Sequence, residues 1–142
     1  MPLPESIHLE IVTPERRMVS EVADEVVLPG SEGSLGVLPG HTPLLATLGI
    51  GELAYTRDGA KRYVAVAWGF VEVLPDRVSV LAEIAERAEG IDRERAGRAR
   101  DRAMKRLSER PADTDFKRAQ VALQKAVIRL QVSHGIGPNE SS

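Results

Sequence analysis

The chain has 142 residues, 42% of them hydrophobic and 28% charged, so it is long enough for one ordinary domain or two small ones. It contains no cysteine, which excludes disulfides and thiolate metal sites. No stretch approaches the ~20 apolar residues of a membrane span, and residues 1–5 lack the pattern of a signal or transit peptide. We therefore expect membrane association only through a partner.

The net charge of −2 conceals an uneven distribution along the chain. Residues 1–91 contain 7 basic and 14 acidic side chains, whereas residues 92–134 contain 12 basic and 6 acidic ones. Such an asymmetry is typical of separate domains with separate partners. The alternative is two solvated surfaces of opposite sign, and charge alone leaves both interpretations open.

The first part of the chain shows the two-residue alternation of half-buried strands. The predicted strand segments are 7–11, 25–28, 35–38, 53–56, 63–66, 70–74 and 77–81. Asp58-Gly59 and Pro75-Asp76 separate consecutive segments and are typical hairpin turns. Closely spaced strands without a helical pattern between them predict an antiparallel β-sandwich or barrel.

Beyond residue 84, glycine becomes rare and Ala, Arg and Glu predominate. Asp92 is predicted to cap a helix that ends near Ser108, and Thr114 to cap a second helix, with Asp115 in its first turn, that ends near Ser133. The break at residues 110–113 is short, so the helices are expected to form an antiparallel hairpin. The fold class is α+β, mainly β. We predict a sandwich domain at 1–87, a helical hairpin at 88–134 and a flexible tail at 135–142.

The two helices are expected to present different surfaces. The first helix has a thin apolar stripe and, one position earlier, a parallel basic stripe. These stripes are Ala96, Ala99, Ala103 and Leu107, and Arg95, Arg98, Arg102 and Arg106. The second helix has an apolar seam and additional apolar residues outside it. The seam is Phe116, Ala119, Leu123, Ala126 and Leu130, and the additional residues are Val121, Ile128 and Val132. This extra surface either packs on the sandwich or meets a partner, and both remain open.

The motifs of enzymes and metal sites are missing from the sequence. His8, His41 and His134 lie far apart without metal-ligand spacing, and no nucleophile elbow or phosphate-binding loop is present. The glycine-rich segment 30–40 lies between strands rather than before a helix, so it is a weak phosphate candidate. We predict a non-catalytic protein that binds partners, with no metal site and no obligatory cofactor.

Three segments resemble a known family. They are residues 30–44 (GSEGSLGVLPGHTPL), residues 69–73 with 78–82 (GFVEV and VSVLA), and residues 86–96 (ERAEGIDRERA). Their order and spacing are similar to those of the epsilon subunits of bacterial F-type ATP synthases. The likeness extends from about residue 7 to residue 132.

The resemblance implies a ten-stranded sandwich followed by a two-helix hairpin, in agreement with the pattern. It also implies a non-catalytic rotor subunit in the central stalk of a proton-translocating enzyme, where the sandwich binds the gamma subunit and the membrane c-ring. The hairpin is expected to inhibit ATP hydrolysis by contacting the alpha/beta catalytic head. The expected location is peripheral, on the cytoplasmic face of the bacterial inner membrane.

The resemblance also implies two sets of site residues. The loop that faces the c-ring corresponds to Glu32, Ser34 and His41. Some relatives bind regulatory ATP on the hairpin, and the matching residues are Glu86, Ile91, Asp92, Arg95, Ala96, Arg102, Lys125 and Arg129. This chain departs from the family at Lys125, where relatives that bind ATP usually have Arg, and at Trp68, where Gly is common.

Two other functions are alternatives to that of a rotor subunit. One is a free-standing ATP sensor that uses the hairpin cations, and this alternative stays open. The other is a nucleic-acid binder, which is disfavoured because the sandwich is acidic and the helices contain no aromatic residue except Phe116. Co-purification with gamma distinguishes a motor subunit from a free-standing sensor.

Overall fold

The structure is a computed structural model that describes residues 3–109 and 115–134. Seven strands are followed by a single turn of 3-10 helix (Ala88–Gly90) and two α-helices. The strands and helices are β1 (Ile7–Val12), β2 (Arg17–Ala23), β3 (Glu25–Gly30), β4 (Gly33–Val37), β5 (Leu44–Arg57), β6 (Ala60–Leu74), β7 (Arg77–Arg87), α1 (Arg93–Glu109) and α2 (Phe116–Ser133).

The predicted strand segments all lie within these strands, except that β4 ends one residue before Leu38. The β5–β6 hairpin turns at Asp58 and Gly59, whose φ angles of 51° and 80° are those of a turn that matches the strand twist. Strand β2 was not predicted from the sequence. Its alternation is weak because the charged Glu21 lies between the buried Val19 and Ala23.

The strands form one continuous sheet in the order β2-β1-β7-β6-β5-β3-β4. Neighbouring strands are antiparallel, except that residues 8–12 of β1 run parallel to residues 77–81 of β7. The sheet folds back on itself, because β2 contacts β5 although three strands separate them in the sheet order. The predicted β-sandwich is therefore confirmed, with one parallel pair in it.

The sheet folds where its three longest strands change which side faces the core. Along β6, even-numbered residues enter the core before Trp68, and odd-numbered residues enter it after Gly69. Trp68 has a φ of 56° and is skipped in the pairing with both neighbouring strands. Gly69 has a φ of 125°, and a Cβ there would lie 1.9 Å from the carbonyl oxygen of Leu81. Only glycine fits this position without displacing the β7 backbone.

The same change of side occurs in β5 and β7. Core residues switch from Leu48 to Leu53 along β5 and from Ala82 to Ala85 along β7. Each long strand therefore contributes one segment to each layer of the sandwich. Counted in this way, the three long strands and four short ones give the ten strands that the resemblance implies.

The sandwich core is complete without the helices. All residues in the main buried cluster lie between positions 7 and 85, and the largest fully buried ones include Ile7, Leu9, Leu28 and Leu53. Burial of such side chains contributes about 1.5–3 kcal/mol each. The first domain therefore has its own source of stability.

The hairpin follows the prediction with one correction. The Asp92 carboxylate accepts a hydrogen bond from the Arg95 amide at 3.0 Å, so the predicted cap of α1 is confirmed. The cap of α2 is Asp115 rather than Thr114, because the Asp115 backbone is extended and its carboxylate accepts from the Arg118 amide at 3.1 Å. Thr114 itself, the predicted break at 110–113 and the tail at 135–142 lie outside the described residues.

The helices pack antiparallel, since an Arg93 guanidinium nitrogen at the start of α1 donates to the Ser133 carbonyl at the end of α2, at 2.9 Å. The buried members of the two predicted stripes are Ala96, Ala103, Ala119 and Ala126. Phe116, which was assigned to the seam, is 41% exposed. The four arginines of the basic stripe are all exposed.

Candidate functional site

Helix α2 covers part of the outer face of one sandwich layer. Val132 is fully buried there in a small cluster with Tyr63, Ala65 and Ile91, and Ile128 packs against this cluster. In this structure Ile128 and Val132, two of the three additional apolar residues of α2, therefore pack on the sandwich. We call this covered surface the docked face.

Two charged contacts lie beside the apolar cluster of the docked face. The Nε and Nη2 atoms of Arg129 both donate to Oε1 of Glu86, at 2.8 and 2.7 Å. The ammonium of Lys125 lies 4.2 Å from the centre of the Trp68 ring, a cation–π contact. A crevice lined by Glu86, Lys125 and Arg129 has a volume of about 10 Å³, which is room for about one water molecule.

The residues predicted for ATP fall into two groups. Glu86, Lys125 and Arg129 converge on this crevice. The others are distributed over the junction and α1: Ile91 lies in the apolar cluster, Asp92 caps α1, Ala96 is buried, and Arg95 and Arg102 are exposed. Within the described part of the chain, neither exposed guanidinium forms a side-chain hydrogen bond or ion pair. ATP binding by this set stays a prediction.

The outer face of the other layer carries an apolar row without a hairpin over it. Phe70 and Leu81 pair directly across β6 and β7 and are 54% and 56% exposed. Val12 of β1 pairs with Leu81 and continues the row. At the other end of the row, Thr47 of β5 pairs with Phe70, and Leu45, two positions before Thr47, is 71% exposed. We call this surface the open face. Contiguous exposed apolar side chains of this kind are typical of interaction surfaces.

The sequence contained a signal for the open face that the strand prediction did not use. Two-residue alternation places Phe70 on the same side as Glu72, and Leu81 on the same side as Ser79. A large apolar residue on the polar side of a strand indicates exposure. Both residues were predicted only as members of strands.

The residues predicted to face the c-ring border the open face without forming one cluster. Glu32 and Ser34 are exposed in and after the β3–β4 turn, which reaches β5 through a hydrogen bond from the Ser31 amide to the Thr47 carbonyl at 2.9 Å. His41 lies before the start of β5, and its Nδ1 is 2.7 Å from the Thr42 carbonyl. The segment of β5 between them is about 10 Å long. Their role stays a prediction.

A buried polar contact joins the two layers. Burial, followed by the hydrogen bond to Glu21 and the negative charge of that residue, raises the pKa of Tyr55 to about 12. Arg87 at the end of β7 lies 3.6 Å from the Glu21 carboxylate. Such a contact orients β2 on β5 rather than serving catalysis. No described helix is long and apolar enough to cross a membrane.

The fold is shared with a chain of a known complex. The match is to the cryo-EM structure of the Euglena gracilis mitochondrial ATP synthase, OSCP/F1/c-ring, with a TM-score of 0.80 and 23% identity. It covers 94% of this chain and 84% of the matched chain. At this identity the likeness shows the fold alone.

The sequence comparisons reach further. An ATP synthase epsilon chain of Syntrophobacter fumaroxidans is 53% identical over 129 residues, which cover 91% of this chain and 96% of the relative. The ATP synthase epsilon chain of Nitratidesulfovibrio vulgaris strain DP4 is 51% identical, covering 89% and 95%. Two family models match adjacent parts of the chain. The beta-sandwich domain of the ATP synthase delta/epsilon chain matches residues 6–88, and the long alpha-helix domain of that chain matches residues 89–134. The chain belongs to the ATP synthase delta/epsilon chain family.

Proposed function

We propose that this chain is a non-catalytic subunit of the central stalk of a bacterial F-type ATP synthase, where it couples the catalytic head to the membrane c-ring. Family membership supports the role. The observation that carries the proposal is the open face, an exposed apolar row on a sandwich that has its own complete core. A surface of this kind suits a permanent partner.

In this proposal the open face binds the gamma subunit. The bordering residues Glu32, Ser34 and His41 face the c-ring, and Glu32 and Ser34 are exposed there. The chain then lies peripherally on the cytoplasmic face of the bacterial inner membrane, held there by gamma and the ring.

Gel filtration with purified gamma tests the partner. We expect the full chain and a chain that ends at Arg87 to co-elute with gamma, because the sandwich core and the open face lie within residues 7–85. Circular dichroism of the shortened chain shows whether it is folded. A folded sandwich that fails to bind gamma contradicts the proposal.

The hairpin is proposed to inhibit ATP hydrolysis through its exposed positive charge. Residues 92–134 carry 12 basic and 6 acidic side chains, and the arginine stripe of α1 is exposed. Each exposed charge pair contributes only about 0.2–1 kcal/mol, but several acting together reach a few kcal/mol. An acidic surface on the catalytic head would attract such a helix.

Steady-state ATPase assays on the reconstituted enzyme test inhibition. Deletion of residues 92–142 is expected to raise the rate, and the effect of the hairpin is expected to weaken with salt, since screening acts over about 8 Å at physiological ionic strength. A second variant carries Lys117→Ala and Arg118→Ala, which removes two exposed charges from the first turn of α2. It tests whether positive charge, rather than the presence of the hairpin, causes the inhibition. An unchanged rate after deletion, at both low and moderate salt, contradicts inhibition.

ATP sensing by the hairpin is the second candidate. The cations Lys125 and Arg129 lie together beside Glu86 and favour it, but their crevice holds about one water molecule, so ATP would require a displacement of α2. A ligand at 100 times its dissociation constant adds about 2.7 kcal/mol to stability, so millimolar ATP would raise the melting temperature. The absence of a shift would remove this candidate and leave the stalk role intact.

A further inference from the structure

Trp68 occupies a backbone conformation that disfavours it. Its φ of 56° lies in the left-handed region, which is costly for a bulky side chain and free of strain for glycine. Strain of this kind persists where surrounding contacts maintain it, often at functional positions. The feature to be explained is therefore the ring, since the backbone alone would favour glycine.

The Trp68 ring has a specific partner on the other domain. Lys125 of α2 lies 4.2 Å from the ring centre, and one helical turn later Arg129 donates twice to Glu86 on β7. Residues four apart lie on the same side of a helix. Both cations therefore face the sandwich, beside the cluster that buries Val132.

We propose that Trp68 and Glu86 form a clamp that holds α2 on the sandwich through Lys125 and Arg129, without any nucleotide. The clamp uses two of the cations that were predicted for ATP. The crevice lined by Glu86, Lys125 and Arg129 holds about one water molecule, so a polyphosphate does not fit inside it while α2 is docked. Any anion that takes these cations must first break the clamp.

The inference concerns the isolated chain, and it rests on the proposed function only for its consequence, which is that release of the clamp frees the hairpin. Arg129 and Glu86 are about one-third exposed, which keeps their contact in exchange with solvent. The clamp is therefore a reversible contact beside a small apolar cluster. Failure of the clamp would leave the binding of gamma unaffected.

Hydrogen–deuterium exchange of the full chain tests the clamp by measuring opening of α2. We expect Lys125→Met to speed exchange in α2 by about three- to tenfold, since it removes the charge and keeps the stem. Arg129→Met is expected to speed it by about tenfold. Lys117→Met, at an exposed position of the same helix, is the matched control and should leave exchange unchanged.

Trp68→Gly separates the clamp from general stability. We expect α2 to exchange faster while β5 and β6 stay protected, because glycine accepts the positive φ at this position. Adding Lys125→Met to this variant should cause no further change if the two residues act as a pair. Additive effects, or α2 exchange that stays at the wild-type rate in both Lys125→Met and Arg129→Met, would overturn the clamp.

Sodium tripolyphosphate and ATP, added separately to the wild-type chain, provide a second arm. Exchange in α2 that is unchanged or faster agrees with a clamp that already engages both cations. Slower exchange in α2 would show that the anion holds the helix down, and would overturn the proposal. Trp68 is the one tryptophan in the sequence, so quenching of its fluorescence by acrylamide gives an independent measure of how far α2 shields its ring from solvent.

Discussion

The docked face and the open face are outer surfaces of the same folded sheet, but apolar residues are buried on the docked face and exposed on the open face. On the docked face, Val132 of α2 is fully buried against Tyr63 and Ala65. On the open face, Phe70 and Leu81 remain more than half exposed. Since exposed apolar area costs about 25 cal/mol per Å², a row of this kind indicates a surface that is covered in an assembly.

The contacts on the docked face suit a helix that leaves and returns. The buried residues of the two helix stripes are alanines, which bury little area, and the polar contacts to the sandwich are partly exposed. Partly exposed ion pairs contribute about 0–1 kcal/mol each. In the proposed role, the open face is the permanent attachment and the docked face is the reversible one.

The largest effect is expected from a substitution at the bend where the sheet passes from one layer to the other. Gly69→Ala places a Cβ 1.9 Å from the Leu81 carbonyl oxygen at a φ of 125°, so the β7 backbone must shift. We expect a loss of at least about 3 kcal/mol in the free energy of unfolding, measured by urea denaturation. Gly36→Ala is the matched control, because a Cβ there meets no atom within 4 Å. Equal stability of the two variants would contradict this account of the bend.

How much of this architecture the sequence predicts depends on the range of the interaction. Alternation along β6 and the Asp58-Gly59 turn are local, so the hairpin turn and the strands other than β2 were predicted correctly. The fold-back at Trp68 and Gly69 depends on contact with the neighbouring strand, which no single-strand pattern contains. The resemblance supplied the ten strands, and the structure explains them as three long strands that bend.

The candidate sites show the same limit. Spacing placed Lys125 and Arg129 on one side of α2, but it could not reveal that they face Trp68 and Glu86. Those contacts join residues more than 40 positions apart. The choice between a sandwich and a partner for the extra apolar surface of α2 also required the tertiary structure.

The next effect sharpens the assignment of the open face to the gamma subunit. Leu81→Glu is expected to weaken gamma binding by about 30-fold or more, because a charge would replace an apolar anchor at the centre of the row. The stability of the chain itself should change by less than about 0.5 kcal/mol, since Leu81 is 56% exposed.

Isothermal titration with gamma measures this effect. Met104→Glu makes the same kind of change at a residue of α1 that is 52% exposed, and it should leave gamma affinity unchanged. If Leu81→Glu binds as tightly as Met104→Glu, gamma binds elsewhere on the sandwich.

On the docked face, Val132→Ala is expected to reduce stability by about 1.5 kcal/mol, because it removes two buried methyl groups from the cluster with Tyr63 and Ile91. The loss should appear as faster hydrogen exchange in α2, with little change in the sandwich strands. Val22→Ala, at a residue that is 46% exposed on β2, is the control and should cost much less. Equal costs would show that α2 does not stay docked in solution.

The smallest effect lies between the two faces, at Tyr55 in the contact of the layers. Burial and the neighbouring Glu21 raise its pKa to about 12, against 10.0 for an unperturbed tyrosine. The phenol of Tyr55 therefore ionises at a lower pH in the unfolded chain than in the folded chain. The associated stability is fully present below pH ~10 and is lost as pH rises toward ~12.

At a pH of about 11 this loss amounts to about 1 kcal/mol, since one pKa unit corresponds to about 1.4 kcal/mol. We expect Tyr55→Phe to lower stability at neutral pH, because Glu21 loses its donor, yet to flatten the decline between pH ~9 and ~11. Urea denaturation across that range measures the slope. The difference in ultraviolet phenolate absorbance between the chain and the Tyr55→Phe variant locates the titration of Tyr55. A difference spectrum that places Tyr55 near pH 10 would show that the two layers open to water around it.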